Sequence, residues 1–537
     1  MKLLSQPAVA ALGLAGIYGL VLTAPLGSPR HDWVYHNSDA PGPAFAAALV
    51  NVAIIWFGLT LLLTAVRRQP WTQRLVWAAI ILTLPCLLVE EGGRLNLWSP
   101  ANHAAAALLG IACAAWLGIA LGSILRPALI QPPLDRAQRA ASGVFSFAAI
   151  STLFTLAQMV WCFAEARDSN QSPLLRQRSQ AEGQAAATQS ARVIWIVLDE
   201  LSYEQVYERR FPHLQLPAFD RIASQSTVFT HVIPTAISTG LALPSLLTGV
   251  PVDELRVTAA GNLVAIHDAE ADDWQTFRRQ DTIFQAALDA GYSSGIAGWF
   301  NPYCRILPGV LDHCYWTFHT TTDPGLLSDV STGARILAPW AYVYQAAISK
   351  LRGSPHQRGE AVRHLSDYRD LVDAGDQLLN DSSCNFVLLH LPIPHPGGIY
   401  NRRTGALTTG PGSSYIDNLA LADRYLDHVY QLLAGKEEWD STTIVLMGDH
   451  SWRTQMTWMH NPLWTPEDQA ASRGGQYDER PVYLVKLPYQ ETPARIDEPF
   501  HALATRALLQ QLLRHTIQSP AQLHAFAATW RPAASRH

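Results

Sequence analysis

Three uninterrupted apolar runs in this chain each end on side chains that bind cations. Val193-Ile194-Trp195-Ile196-Val197-Leu198 runs into Asp199 and Glu200. Phe386-Val387-Leu388-Leu389 runs into His390 and, shortly after, His395. Ile444-Val445-Leu446-Met447-Gly448 runs into Asp449 and His450. A short apolar run without polar alternation is a strand covered on both faces, as in a parallel sheet flanked by helices. Helical stretches separate these runs: one begins at Pro217, and another runs from Tyr415 through Val429 and Leu433. A further strand is expected over Pro481–Leu487. Strands alternating with helices predict an α/β fold with a mainly parallel sheet and helices on both faces. Such sheets bind ligands beyond the carboxyl ends of their strands, which is where the acids and histidines fall.

The region before about residue 165 has another character. Five apolar windows, at about 7–24, 43–66, 73–90, 103–125 and 143–165, approach the roughly 20 residues that cross a bilayer. Because further apolar windows follow the first, it is read as an uncleaved span and not as a signal peptide. Arg67, Arg68 and Arg74 crowd one loop, and Arg126, Arg136 and Arg139 another. Basic loops stay in the cytoplasm, so five spans put everything after residue 165 outside, at a bacterial-type inner membrane. The expected layout is a multi-span α-helical membrane domain (1–165), a Gln-, Ala- and Ser-rich linker (166–191) and an extracytoplasmic catalytic domain (192–537). A net charge of -5 gives no electrostatic case for nucleic acid. Outside the membrane an oxidising compartment permits a disulfide between Cys304 and Cys314.

Carboxylates with imidazole suit zinc or manganese better than calcium or magnesium. Small residues and hydroxyls over Thr235–Thr239 precede an apolar helical stretch that closes at Leu246-Leu247-Thr248-Gly249. A hydroxyl at a helix start sits where backbone N–H groups and the helix dipole favour anions. A nearby cation would lower its pKa and make it a nucleophile.

Over roughly residues 190–490 the chain resembles the alkaline phosphatase superfamily, in its sulfatase-like branch. The resemblance rests on the adjacent acids Asp199 and Glu200, the Asp449-His450 pair, and Thr239, ten residues before Gly249. Sulfatases carry Cys or Ser at that position, followed by x-Pro-x-Arg, for oxidation to formylglycine. This chain reads Thr239-Gly240-Leu241-Ala242-Leu243 and lacks the signal. Membrane phosphoethanolamine transferases and lipoteichoic acid synthases use an unmodified Thr. The transferases also have a Pro five residues on, as Pro244 is here, and a His-x4-His segment resembling His390 to His395.

The resemblance implies one divalent metal held by Asp199 or Glu200, Thr239, Asp449 and His450. It implies catalysis by Thr239 with His395 and His460, and a substrate contact at His390. The implied reaction moves a phosphoethanolamine- or phosphoglycerol-type headgroup from a phospholipid donor to a glycan or lipid acceptor. A phosphodiesterase, phosphatase or sulfatase-like hydrolase of the same fold is the alternative. A non-catalytic membrane sensor or scaffold is a third.

Overall fold

The computed structural model of the protein describes residues 6–27, 32–36, 41–80, five positions between 107 and 118, 127–167, 192–319, 331–352, 357–461 and 463–531. They fall into two compact units. One comprises Met1–His31, Ala40–Ser169 and Pro324–Tyr342; the other comprises Asp32–Asp39, Asn170–Asp323 and Val343–His537. Of the stretch before the helix Gly42–Val66, the described residues Asp32–His36 fall in the second unit.

The first unit contains the helices α1 (Gln6–Gly27), α2 (Gly42–Val66) and α3 (Pro127–Arg167). Ala10, Ala11, Leu14, Leu63, Trp77, Ile80, Ala141 and Phe145 make its interior. Large apolar side chains face outward along α2 and α3, among them Phe57, Phe147, Phe154 and Trp161. A helix apolar on its outer face is at home in a lipid environment or inside a larger protein. Among the described residues, two stretches are long and apolar enough to cross a membrane, Gly42–Val66 and Ala141–Ala166. The window at 7–24 lies on α1. Much of the window at 73–90, nearly all of that at 103–125 and most of the linker lie outside the described residues.

The second unit is built on an eight-stranded sheet: β1 (Val193–Leu198), β2 (Thr227–Phe229), β3 (Ser294–Trp299), β4 (His313–Thr317), β5 (Phe386–Leu391), β6 (Thr443–Gly448), β7 (Tyr483–Lys486) and β8 (Ala494–Ile496). Their order across the sheet is β8-β2-β7-β6-β1-β5-β3-β4. Only β7 runs against its neighbours. The sheet is thus mainly parallel, as expected. The central strands are buried on both faces. Ile194, Ile196 and Leu198 enter one core, while Val193, Trp195 and Val197 enter the other, the alternation any strand imposes.

Register delivers the site. Leu198 pairs with Gly448 on one side and with Leu391 on the other. The next residues of β1 and β6, Asp199 and Asp449, therefore leave the sheet side by side. The Tyr415 stretch forms a helix to Ala434, opened by a capping box of Ser414 and Asp417. From this helix Asp423 accepts the N–H groups of Ala218 and Phe219, each at 2.9 Å. These are the first donors of the short helix Pro217–Ser224. Replacing Asp423 by Ala leaves both N–H groups unpaired. The expected cost is about 1–2 kcal/mol of stability, read as a lower unfolding midpoint with turnover per folded molecule unchanged. Cys304 and Cys314 are joined in a disulfide.

Candidate active site

The helix Thr239–Thr248 begins at the predicted nucleophile. Ser238 precedes it in extended conformation, and the N–H groups of Leu241 and Ala242 close back on its carbonyl. The first N–H groups of a helix, here those of Thr239 and Gly240, have no partner within it and favour an anion. At the far end Gly249 takes a left-handed conformation (φ 72°) and returns its N–H to Ser245, the usual role of glycine after a helix. The Leu-Leu-Thr-Gly stretch is therefore the end of the helix that Thr239 begins.

Thr239 Oγ1 donates to Asp199 Oδ1 at 3.1 Å and lies 3.4 Å from His450 Nε2. His450 Nε2 is 3.6 Å from Asp199 Oδ1 and 3.3 Å from Asp449 Oδ2. Ligand atoms of Asp199, Asp449 and His450 all lie within 4.8 Å of one another, and all three residues are buried. Asn301 holds the carbonyl of Thr239 from behind through its Nδ2, at 3.3 Å.

These donors fit a divalent cation. Asp199 Oδ2 and Asp449 Oδ2 are buried without a hydrogen-bond partner, which is costly for a carboxylate unless something positive fills the gap. The other oxygen of Asp449 is used, accepting the N–H groups of Glu200 and His450. His450 Nδ1 lies 3.0 Å from the Ser451 carbonyl. Its proton belongs on Nδ1, leaving the Nε2 lone pair facing the group, as for a metal-binding imidazole. Burial, with Asp449 and Glu200 nearby, holds the Asp199 carboxyl well above the usual carboxylate range. For Asp449 burial acts in the same direction, but His450, His390 and the contacts with Asp199 and Glu200 outweigh it, and its carboxyl is held down.

Glu200 does not join this group. Its backbone is left-handed (φ 62°), a conformation that strains a residue with a side chain. The turn aims its N–H at Asp449 and sends its carboxylate elsewhere. That carboxylate is fully buried and accepts from Arg453 Nε at 2.7 Å, from Arg453 Nη2, and from Trp458 Nε1 at 2.9 Å. Neighbouring positions at a strand end point opposite ways. Asp199 faces Thr239, while Glu200 fixes the loop after His450.

His395 stands beside the group, with Nε2 4.0 Å from Asp199 Oδ2. Its Nδ1 faces the Pro396 carbonyl at 2.8 Å, so the free lone pair is again on Nε2. Trp299 and Trp458 meet the ring edge-on at 5.3 and 5.0 Å. Burial, then the neighbouring His364 and Arg453, holds this imidazole well below its ordinary pKa. His390 is fully buried, with Nδ1 2.8 Å from the Tyr303 hydroxyl. Burial lowers its pKa to about 4, against an opposing pull from Asp449. It is a neutral interior histidine. His460 is exposed in a turn and is not one of the metal-ligating group found among the described residues.

Arg453, Trp458, Asn301 and Trp299 were missed by the sequence reading. Arg453 carried the best available signal, a cation three residues past the Asp-His pair. The others sit in stretches whose composition marks nothing.

Comparison with known proteins agrees with this architecture. The sulfatase family model matches residues 191–489, more than half of the chain. No curated protein matches it in sequence. Among solved structures, Ps i-CgsB in complex with k-i-k-neocarrahexaose shares 15% identity, covering 63% of this chain and 74% of that one, with a TM-score of 0.38. The phosphonate monoester hydrolase of Agrobacterium radiobacter shares 13%, covering 60% and 74%, with a TM-score of 0.38. Murine ectonucleotide pyrophosphatase/phosphodiesterase 5 shares 12%, covering 62% and 99%, with a TM-score of 0.35. None of the three bears on what this chain acts on. The extent of the family match does decide membership: the chain belongs to the sulfatase family, in the sulfatase-like branch of the alkaline phosphatase superfamily, and is a hydrolase or phosphotransferase of that kind.

Proposed function

We propose that this protein is a membrane-anchored, metal-dependent transferase that carries a phospho-headgroup from a phospholipid to a glycan or lipid acceptor, with Thr239 as the nucleophile. One observation carries the reading: an unmodified threonine hydroxyl, at a helix start, 3.1 Å from Asp199 and 3.4 Å from His450. A formylglycine precursor is absent from that position, which disfavours sulfate ester hydrolysis.

Asp199, Asp449, His450 and Thr239 would hold the cation, zinc or manganese by the chemistry of the donors. A cation bound there supplies the positive charge that lowers the hydroxyl's pKa and offsets charge on the phosphoryl oxygens. Thr239 Oγ1 attacks phosphorus in line with the bond to diacylglycerol. That bond breaks, diacylglycerol leaves, and the headgroup stays on Thr239 Oγ1 as a phosphodiester. The N–H groups at the start of the Thr239 helix face the phosphoryl oxygens. His395, neutral and with its lone pair on Nε2, takes the proton of Thr239 Oγ1 and gives it to the leaving diacylglycerol oxygen. In the second half-reaction it takes the proton of the acceptor hydroxyl, and the acceptor oxygen bonds to phosphorus. The bond from phosphorus to Thr239 Oγ1 breaks, and the proton returns to Oγ1. Asn301 keeps the nucleophile oriented. Glu200, Arg453 and Trp458 keep His450 and His395 in place.

The two long apolar helices support an anchor. The arginines at 67, 68 and 74 favour a catalytic unit outside the cytoplasm. An anchored site meets a lipid donor at high effective concentration.

The test is a purified full chain given phospholipid labelled in the headgroup, with and without a lipid or glycan acceptor. Label should move to the acceptor and, transiently, to the peptide bearing Thr239. Release of soluble product alone, whatever acceptor is supplied, would assign the hydrolase instead.

A further inference from the structure

The short segment Asp32–Asp39 lies in the chain between α1 and α2 yet belongs to the catalytic unit. Val34 and Tyr35 are buried there. Arg305 Nη2 donates to the carbonyl oxygens of both, at 3.4 Å to Val34 and closer to Tyr35. Arg305 itself adjoins the Cys304–Cys314 disulfide. The segment is thus bound by a residue next to a cross-link, and it carries His36.

His36 is half-buried. Its Nδ1 lies 2.9 Å from the Phe300 carbonyl. A carbonyl oxygen only accepts, so the ring proton sits on Nδ1 and the lone pair on Nε2. The Nε2 edge faces the nucleophile's helix. A Cβ built on Gly240, the residue after Thr239, would lie 3.8 Å from His36 Nε2 and 3.4 Å from the Phe300 ring. The His36 ring packs on Phe300 at 4.1 Å and on Phe318 at 5.9 Å. Phe300 contacts Trp299 at 5.6 Å, and Trp299 contacts His395 at 5.3 Å. A row of rings therefore runs from His36 to His395 alongside Thr239.

We propose that His36 is a substrate-binding residue: its Nε2 accepts a hydrogen bond from an N–H or O–H at the alcohol end of the transferred headgroup, with the rings of Phe300 and Phe318 flanking that group. The assignment rests on the reading of Thr239 as the nucleophile, since the group left on Thr239 carries its alcohol portion only a few bonds beyond phosphorus. Nε2 is an acceptor, so it selects groups that bring a donor. An ammonium gains in addition from aromatic faces; a hydroxyl gains the hydrogen bond alone. The site that chooses the headgroup is then completed by a segment that enters α2, at Gly42, only six residues after His36.

The test uses the full chain in detergent with zinc or manganese supplied. His36→Phe keeps a ring against Phe300 and removes the acceptor; His36→Gln supplies an acceptor oxygen near the same point. Three substrates are compared: vesicles of phosphatidylethanolamine, vesicles of phosphatidylglycerol, and bis(p-nitrophenyl) phosphate, which carries no N–H or O–H donor. His36→Phe should raise KM about tenfold on one or both vesicle types. It should leave the chromogenic diester unchanged, and His36→Gln should recover part of the loss. Loss with phosphatidylethanolamine identifies an ammonium as the donor; loss confined to phosphatidylglycerol identifies a hydroxyl. Equal loss on all three substrates would make His36 a packing residue and overturn the proposal, as would no loss on any. A wild-type protein that cleaves the diester and neither lipid refutes the lipid-donor reading itself, a result distinct from a His36→Phe variant that matches wild type on vesicles.

Discussion

Thr239→Ala should reduce turnover by about 10⁴-fold or more, the scale seen when a covalent nucleophile is removed, while the protein stays folded. The hydroxyl is the sole atom of that side chain given to Asp199 and His450. Its loss leaves no cavity of consequence, so stability should change by no more than about 1 kcal/mol. Thr239→Ser is the matched control. It keeps the oxygen and loses the β-branch that limits χ1, so it should retain measurable turnover with a less firmly held hydroxyl. Rates with the labelled lipid, unfolding midpoints and mass spectrometry of the Thr239 peptide decide the matter together. Wild-type turnover in Thr239→Ala would remove the residue from the mechanism. The headgroup phosphodiester found on the serine of the Thr239→Ser variant would trap the intermediate directly.

The central strands and the acids and histidines at their ends were legible because burial on both faces forces an unbroken apolar run, and β1, β5 and β6 all have one. The edges were not. β3 reads Ser-Gly-Ile-Ala-Gly-Trp, a poor strand by propensity. Packing explains its composition: a Cβ on Gly298 would fall 2.3 Å from the Tyr303 ring. Tyr303 reaches His390 across that space, so the glycine that hid the strand is what admits the tyrosine. The strands β2, β4 and β8 hold three to five residues, too few to show a period. At the site, spacing alone left Asp199 and Glu200 as equals. What separates them is the left-handed turn at Glu200 and its partner Arg453, reached 253 residues along the chain. No local pattern encodes such a contact. His36 was hidden for the same reason, being 264 residues from Phe300.

Removing the cation should abolish turnover and also destabilise the catalytic unit, and the two effects have one source. Asp199 and Asp449 are fully buried and each presents an oxygen with no hydrogen-bond partner. A ligand that binds only the folded state at several hundred times its Kd adds about 3–4 kcal/mol of stability. Chelation should then lower the unfolding midpoint by roughly 5–15 °C for a unit of this size. The pH dependence follows in sign. Without the cation, burial beside Asp449 raises the Asp199 pKa above its unfolded value, so the folded state binds more protons than the unfolded one. Stability conferred by this group is complete below the ordinary carboxylate pKa and is lost as pH rises through the raised one. The lowered Asp449 carboxyl titrates below the ordinary carboxylate range and adds no change between mildly acidic and neutral pH. The chelated protein should therefore melt lower at neutral than at mildly acidic pH, and added zinc or manganese should cancel the difference. Asp199→Asn separates stability from function. It removes one of two buried like charges, so at neutral pH the variant should melt above chelated wild type, yet show little rise on adding metal and little turnover. A midpoint and a rate indifferent to chelator in wild type, or an Asp199→Asn variant less stable than chelated wild type, would mean that the buried acid pair exists for some purpose other than holding a cation against Thr239.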